Sequence, residues 1–261
     1  MRVAYRGDGP LIVKLAGVAG GIGLYEEEMT AATGAGFRVA ALDTSGDRHD
    51  DRSPVPAGWD GFAREVVASI DSEGRETAIL WGTSYGCLVA LATAARHPGR
   101  VAGLLLSHPP DPGRGDALYR RLHDWAERRR DPTATMRRAF STWFLASTAW
   151  ELCAPPLWFH LPGLWRASRE AATPKETVRA KVELLFAEPP GFPPAGIPVE
   201  IIAGSGDLIA PRRGAEALSA RLPGSRLHVM TWSGHAGAYA RPTTYRRLAL
   251  EALRRLSASS R

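Results

Sequence analysis

Between an apolar run that reads as a strand, ETAILWG (76–82), and one that reads as a helix, CLVALATAARHPG (87–99), stands Gly82-Thr83-Ser84-Tyr85-Gly86. A serine on so tight a strand-to-helix turn needs small residues two positions before and after it. Otherwise side chains collide where strand and helix cross. Gly82 and Gly86 supply that room. The turn lifts the Ser84 hydroxyl to the top of a sheet, and the N-terminus of the following helix favours negative charge developing beside it. Glycine-x-serine-x-glycine alone arises by chance in about one or two chains in ten of this length; the flanking strand and helix give it weight here. The competing reading is a serine that does no more than cap the helix.

The rest of the chain repeats the same rhythm. LIVKLAG (11–17) reads as a buried strand, and LYEEEMTAATGAG as a helix with acids in its first turn and glycines at its end. FRVAALD (37–43) reads as a second strand, and 59–72 as a helix with Phe62, Val66, Val67 and Ile70 on one face. VAGLLLSH (101–108) follows as a fourth strand. After a break, IPVEIIAG (197–204), a helix near 211–221, SRLHVMT (225–231) and a closing helix from about 242 resume the pattern. Alternating strands and helices predict an α/β fold, a mostly parallel central sheet with helices on both faces. The break predicts a core domain of residues 1–108 and 196–261, interrupted by a helical, Arg-rich insertion at 109–195. No internal repeat is seen, and SASSR at the end reads as a frayed tail.

Composition narrows the function classes. The 261 residues are 44% hydrophobic and 23% charged, as in a globular protein with a sizeable core. No apolar run reaches the ~18 residues of a membrane span. The first ten residues lack a signal-peptide core, so a cytoplasmic location is expected if the chain is complete. The net charge of +6 comes from arginines scattered among acids, with no nucleic-acid-binding motif beside them. Cys87 falls in an apolar helical run and reads as a small buried side chain; with Cys153 it makes neither a disulfide framework nor a zinc spacing, so no metal is expected.

A serine is a poor nucleophile unless a base, oriented by an acid, activates it. GSGDLIAP puts Asp207 in the loop after the strand 197–204, and SGHAG puts His235 in the loop after 225–231. Both stand at the carboxyl ends of parallel strands, where α/β sites gather. The other histidines fit less well: His49 lies in a loop, His97 at a helix stop, His108 after a strand, His123 and His160 in the insertion, and His228 within a strand. Asp111, in SHPPDP after the fourth strand, is the rival acid.

In the turn GTSYG, the loops GSGDLIAP and SGHAG and the early LAGVAGG, the chain resembles the α/β-hydrolase superfamily over nearly its full length. The resemblance implies Ser84 as nucleophile, Asp207 as acid, His235 as base, and the insertion as a cap over them. Some members take the acid from the position of Asp111. It also assigns LAGVAGGIG (15–23), which lacks the Lys-Ser/Thr of a P-loop and has Glu26 where a dinucleotide fingerprint has its third glycine. In the superfamily this loop supplies one oxyanion-hole amide and the residue after the nucleophile supplies the other, here Val18 and Tyr85. Ala16-Gly17 replaces a frequent His-Gly, and SGDRHDD (45–51) replaces a more familiar RGHGxS pattern, so the chain resembles a divergent member.

Members that act on haloalkanes or epoxides carry aspartate at the turn. Ser84 instead implies attack on the carbonyl of an ester, thioester, lactone or amide, through an acyl-enzyme and with no cofactor. Two alternatives share the fold: the same triad used for acyl transfer, cyclisation or C–C bond chemistry, as in secondary metabolism, and a catalytically inactive ligand-binding protein. Five tryptophans fall in the insertion. Trp143, Phe144, Trp150, Trp158 and Phe159 are the expected pocket lining, and a largely apolar small molecule the expected substrate. Neither a nucleic acid nor a membrane is expected as a partner, and the sequence does not set the oligomeric state.

Overall fold

The computed structural model of the protein describes residues 2–18, 21–48, 51, 53–111, 125, 128–130 and 173–259. Its strands are β1 (Arg2–Arg6), β2 (Leu11–Leu15), β3 (Arg38–Asp43), β4 (Ala78–Thr83), β5 (Val101–Ser107), β6 (Val199–Gly204) and β7 (Arg226–Met230). They form one sheet in the order β1-β3-β2-β4-β5-β6-β7. All neighbours run parallel except β1, which pairs antiparallel with β3. That edge strand is an addition to the sequence reading, which began the sheet at residue 11.

Between the strands lie α1 (Glu26–Gly34), α2 (Gly58–Ser72), α3 (Tyr85–Arg96), α4 (Lys175–Ala187) and α5 (Arg212–Arg221), and β7 is followed by the single turn α6 (Gly237–Ala240) and by α7 (Pro242–Ser259). Central strands are buried on both faces, so they read as continuous apolar runs, yet their side chains still alternate. Val13, Leu15 and Leu80 pack with Phe62 and Val66 of α2 and Leu88 of α3. Ile12, Ile79 and Trp81 pack with Met29 of α1 and Tyr245 and Leu253 of α7. Among the described residues, no helix is long and apolar enough to cross a membrane.

Most of 109–195, including Trp143, Phe144, Trp150, Trp158 and Phe159, lies outside the described residues. Its carboxyl-terminal part is helical, as α4, and is tied to the core. Lys181 forms a buried ion pair with Asp47. Thr177 Oγ1 donates to the Gly46 carbonyl at 2.7 Å. Just beyond α4, the Glu188 carbonyl accepts from Trp59 Nε1 at 3.0 Å.

Candidate active site

Four loops meet at the carboxyl end of the sheet. The first is the turn between β4 and α3. Ser84 sits there at φ 52°, a left-handed conformation that costs a non-glycine residue roughly 1–3 kcal/mol. It precedes α3, but its side chain makes no capping hydrogen bond, which removes the reading of a mere helix cap. The two glycines are needed, for different reasons. A Cβ on Gly82 would stand 2.5 Å from the Gly86 carbonyl oxygen and 2.6 Å from Cys87 N, where strand and helix cross. A Cβ on Gly86 would stand 2.4 Å from the carbonyl oxygen of Leu15, at the end of β2. Gly86 therefore makes room for the glycine loop rather than for its own strand. Cys87, fully buried, directs its thiol to the carbonyls of Gly82 and Ser107 at 3.3 Å, and burial pushes its pKa up.

The loops after β6 and β7 bring the acid and the imidazole to the serine. Asp207 Oδ1 accepts the backbone N–H groups of Ile209 at 2.9 Å and Ala210 at 2.8 Å. Its other oxygen, Oδ2, is 2.8 Å from His235 Nδ1. An ionised carboxylate accepts and does not donate, so Nδ1 carries the ring proton. His235 Nε2 is then an acceptor, 3.2 Å from Ser84 Oγ. Burial works against the Asp207 carboxylate, but the charge and hydrogen bond of His235 outweigh it and hold its pKa below the usual range. Backbone bonds lock the two loops together: Ser205 N–H donates to Met230 O and Gly206 N–H to Ser233 O, both at 2.9 Å. Asp111, the rival acid, lies instead against Gly214 and 3.8 Å from Arg221.

The fourth loop is the glycine loop after β2. A Cβ on Gly17 would stand 3.7 Å from Ser84 Cβ, so this backbone lies against the serine. The Gly17 N–H is held by Tyr25 Oη at 3.1 Å, and half-buried Val18 follows it. On the other side, the Tyr85 N–H belongs to the first turn of α3 and has no acceptor within the helix. No group of His, Cys, Asp and Glu among the described residues is placed to hold a metal ion.

Residues 10–242 match the family model described as alpha/beta hydrolase fold. The chain belongs to the α/β-hydrolase family. Epoxide hydrolase B of Mycobacterium tuberculosis (strain ATCC 25618 / H37Rv) is 34% identical over 109 residues, which are 41% of this chain and 31% of that relative. This chain thus matches about a third of that protein's length. A Variovorax paradoxus (strain S110) protein whose name proposes a carbamate hydrolase is 26% identical over 280 residues, 96% of this chain and 94% of its own. The esterase EaEST from Exiguobacterium antarcticum has the same fold, with a TM-score of 0.76 at 17% identity, covering 97% of this chain and 94% of that one.

Sequence reasoning missed two groups beside this candidate site. One is the cluster around Lys14, taken up below. The other is His108, set aside above as a residue after a strand. It is buried at φ 54°, with its ring 5.7 Å from that of His235 in an edge-on arrangement and stacked 6.2 Å from Tyr245. Burial, opposed by the Asp207 charge and reinforced by His235 and Lys14, lowers its pKa from 6.5 to about 4. His108 is therefore neutral in the folded protein at pH 7. The unfolded chain binds its proton more tightly, so the stabilisation is complete above the unfolded value and is lost as pH falls from 6.5 toward 4. That shift is worth roughly 3 kcal/mol. Thermal melts between pH 7 and 4.5 are expected to fall less steeply for His108→Asn, which tolerates the same backbone but does not titrate. Parallel curves for the two proteins would refute this.

Proposed function

We propose that the protein is a serine hydrolase that cleaves a carbonyl compound, an ester, thioester or lactone, through an acyl-enzyme. The hydrogen-bonded line Ser84–His235–Asp207 carries this reading. His235 Nε2 is placed to take the Ser84 proton as Oγ attacks, while Asp207 holds the ring in the required tautomer and stabilises the imidazolium. The backbone N–H groups of Val18 and Tyr85 would receive the oxyanion. Each such donor is typically worth about 3–4 kcal/mol in the transition state. The imidazolium then protonates the leaving group, and a water activated by the same His235 hydrolyses the acyl-enzyme.

The partial match to an epoxide hydrolase does not change the reaction. Opening of an epoxide by a serine oxygen would leave an alkyl ether on Oγ, which water has no ready way to release. A carbonyl substrate leaves an ester, which water cleaves. The insertion is read as a cap over the site and the substrate as a largely apolar small molecule. A fluorophosphonate probe, followed by p-nitrophenyl esters of increasing chain length, tests this. Expected are stoichiometric labelling and turnover that favours medium-chain over acetyl esters. Labelling without turnover would replace hydrolysis by acyl transfer. No labelling would leave a binding protein.

A further inference from the structure

Lys14 is the residue of β2 that the fold does not explain. It stands in the run LIVKL, every residue of which is buried, and its side chain is fully inaccessible. Its ammonium lies among an acid, a hydroxyl and aromatic rings. Glu28 Oε2 of α1 is 2.6 Å away, and Thr83 Oγ1 accepts from it at 2.7 Å. The rings of Trp81 and Tyr25 lie 4.1 and 4.5 Å from it, centroid to nitrogen. Burial pushes the Lys14 pKa down and the Glu28 pKa up, each opposed by the partner's charge.

A buried ion pair is a poor source of stability. Replacing such a pair by apolar side chains of similar volume is often neutral or stabilising. What sets this pair apart is what it touches. Thr83 is the residue before Ser84. Tyr25 is the residue whose Oη accepts the Gly17 N–H. Val18, the next residue, is the proposed oxyanion donor. The segment 21–25 is pinned at further points, by Ile22 N–H to Asp43 Oδ1 at 2.8 Å and by Tyr239 Oη to the Leu24 carbonyl at 2.7 Å. One ammonium thus contacts both halves of the catalytic apparatus, the turn that carries the serine and the tyrosine that holds the glycine loop.

We propose that Lys14 is a positioning residue: with Glu28, Tyr25 and Thr83 it fixes the glycine loop relative to the serine turn, so that the oxyanion amides face the serine oxygen. The proposal rests on Ser84 being the nucleophile. It predicts a deficit in the rate of the chemical step, with substrate binding and global stability spared.

Lys14→Met alone leaves Glu28 buried without its cation and is expected to destabilise the protein. The informative variant is the double replacement Lys14→Met/Glu28→Leu, which removes both charges. Its melting temperature is expected to equal or exceed that of the wild type. Its kcat on a p-nitrophenyl ester should fall roughly tenfold to a hundredfold with KM little changed, because misplacement by about 1 Å can cost ~10² in rate. Thr83→Val should lose about tenfold and Thr83→Ser, which keeps the acceptor, should recover it. Tyr25→Phe removes the acceptor of the Gly17 N–H, so amide hydrogen exchange across 16–23 should accelerate there and in the double variant, but not elsewhere in the sheet. A folded double variant with normal kcat and unchanged exchange would overturn the proposal, as would a rate loss that tracks melting temperature across the series. Wild-type protein that no fluorophosphonate labels would instead defeat the hydrolase reading, and the exchange measurement would still decide the positioning claim.

Discussion

Ser84→Ala is expected to lower kcat on any ester the protein accepts by about 10⁴–10⁶ and to abolish fluorophosphonate labelling. The lower figure reflects the oxyanion amides and substrate binding, which remain when the hydroxyl is gone. The fold should tolerate the change. Ser84 Oγ makes no capping bond to α3, and its hydrogen bond to His235 is the interaction given up. The left-handed backbone persists, because alanine at φ 52° is strained about as serine is. A melting temperature within a few degrees of wild type, measured beside the lost rate, separates a missing nucleophile from a damaged protein. Activity within tenfold of wild type would remove Ser84 from the reaction.

The parts of this site that were legible in the sequence are those that leave a local mark. The turn needs Gly82 and Gly86, and parallel strands need unbroken apolar runs, so β2 to β7 and their loops could be read from pattern alone. Asp207 and His235 each follow a strand, within glycine-containing loops. Other features depend on contacts distant in sequence. The turn pattern marks Gly86, but the reason it is needed, the carbonyl of Leu15 some seventy residues earlier, is one no local pattern records. A lone lysine in LIVKL signals a buried partner, but GLYEEEM offers three acids, and only the rotation of α1 against β2 selects Glu28. His108 and His235 both follow strands. What separates them is that the Asp207 carboxylate meets the ring of one and not of the other, a matter of sheet order rather than sequence. The edge strand β1 is five residues long, three apolar or aromatic residues between two arginines, a run too short and too irregular to distinguish from a loop.

Asp207→Asn is expected to cost about 10⁴ in kcat, and the geometry says why an isosteric change of one atom should matter so much. Two backbone N–H groups, of Ile209 and Ala210, converge on Oδ1. In the asparagine variant the side-chain carbonyl must stay there to satisfy them, which turns the amide NH₂ toward His235. Nδ1 can then no longer donate. It must accept, and the ring proton moves to Nε2, where it faces Ser84 Oγ with no lone pair to receive the hydroxyl proton. The fold is kept while the base is lost. Because the imidazole is mis-protonated rather than absent, raising the pH should recover little of the rate, whereas strong external nucleophiles such as hydroxylamine would still require Ser84 to acylate first. Asp111→Asn, at a carboxylate 3.8 Å from Arg221, should stay within a few-fold of wild type. Steady-state kinetics of the two variants side by side decide between the acids: a large loss in Asp111→Asn with a small one in Asp207→Asn would move the acid to the loop after β5 and leave the 2.8 Å contact to His235 without a catalytic role.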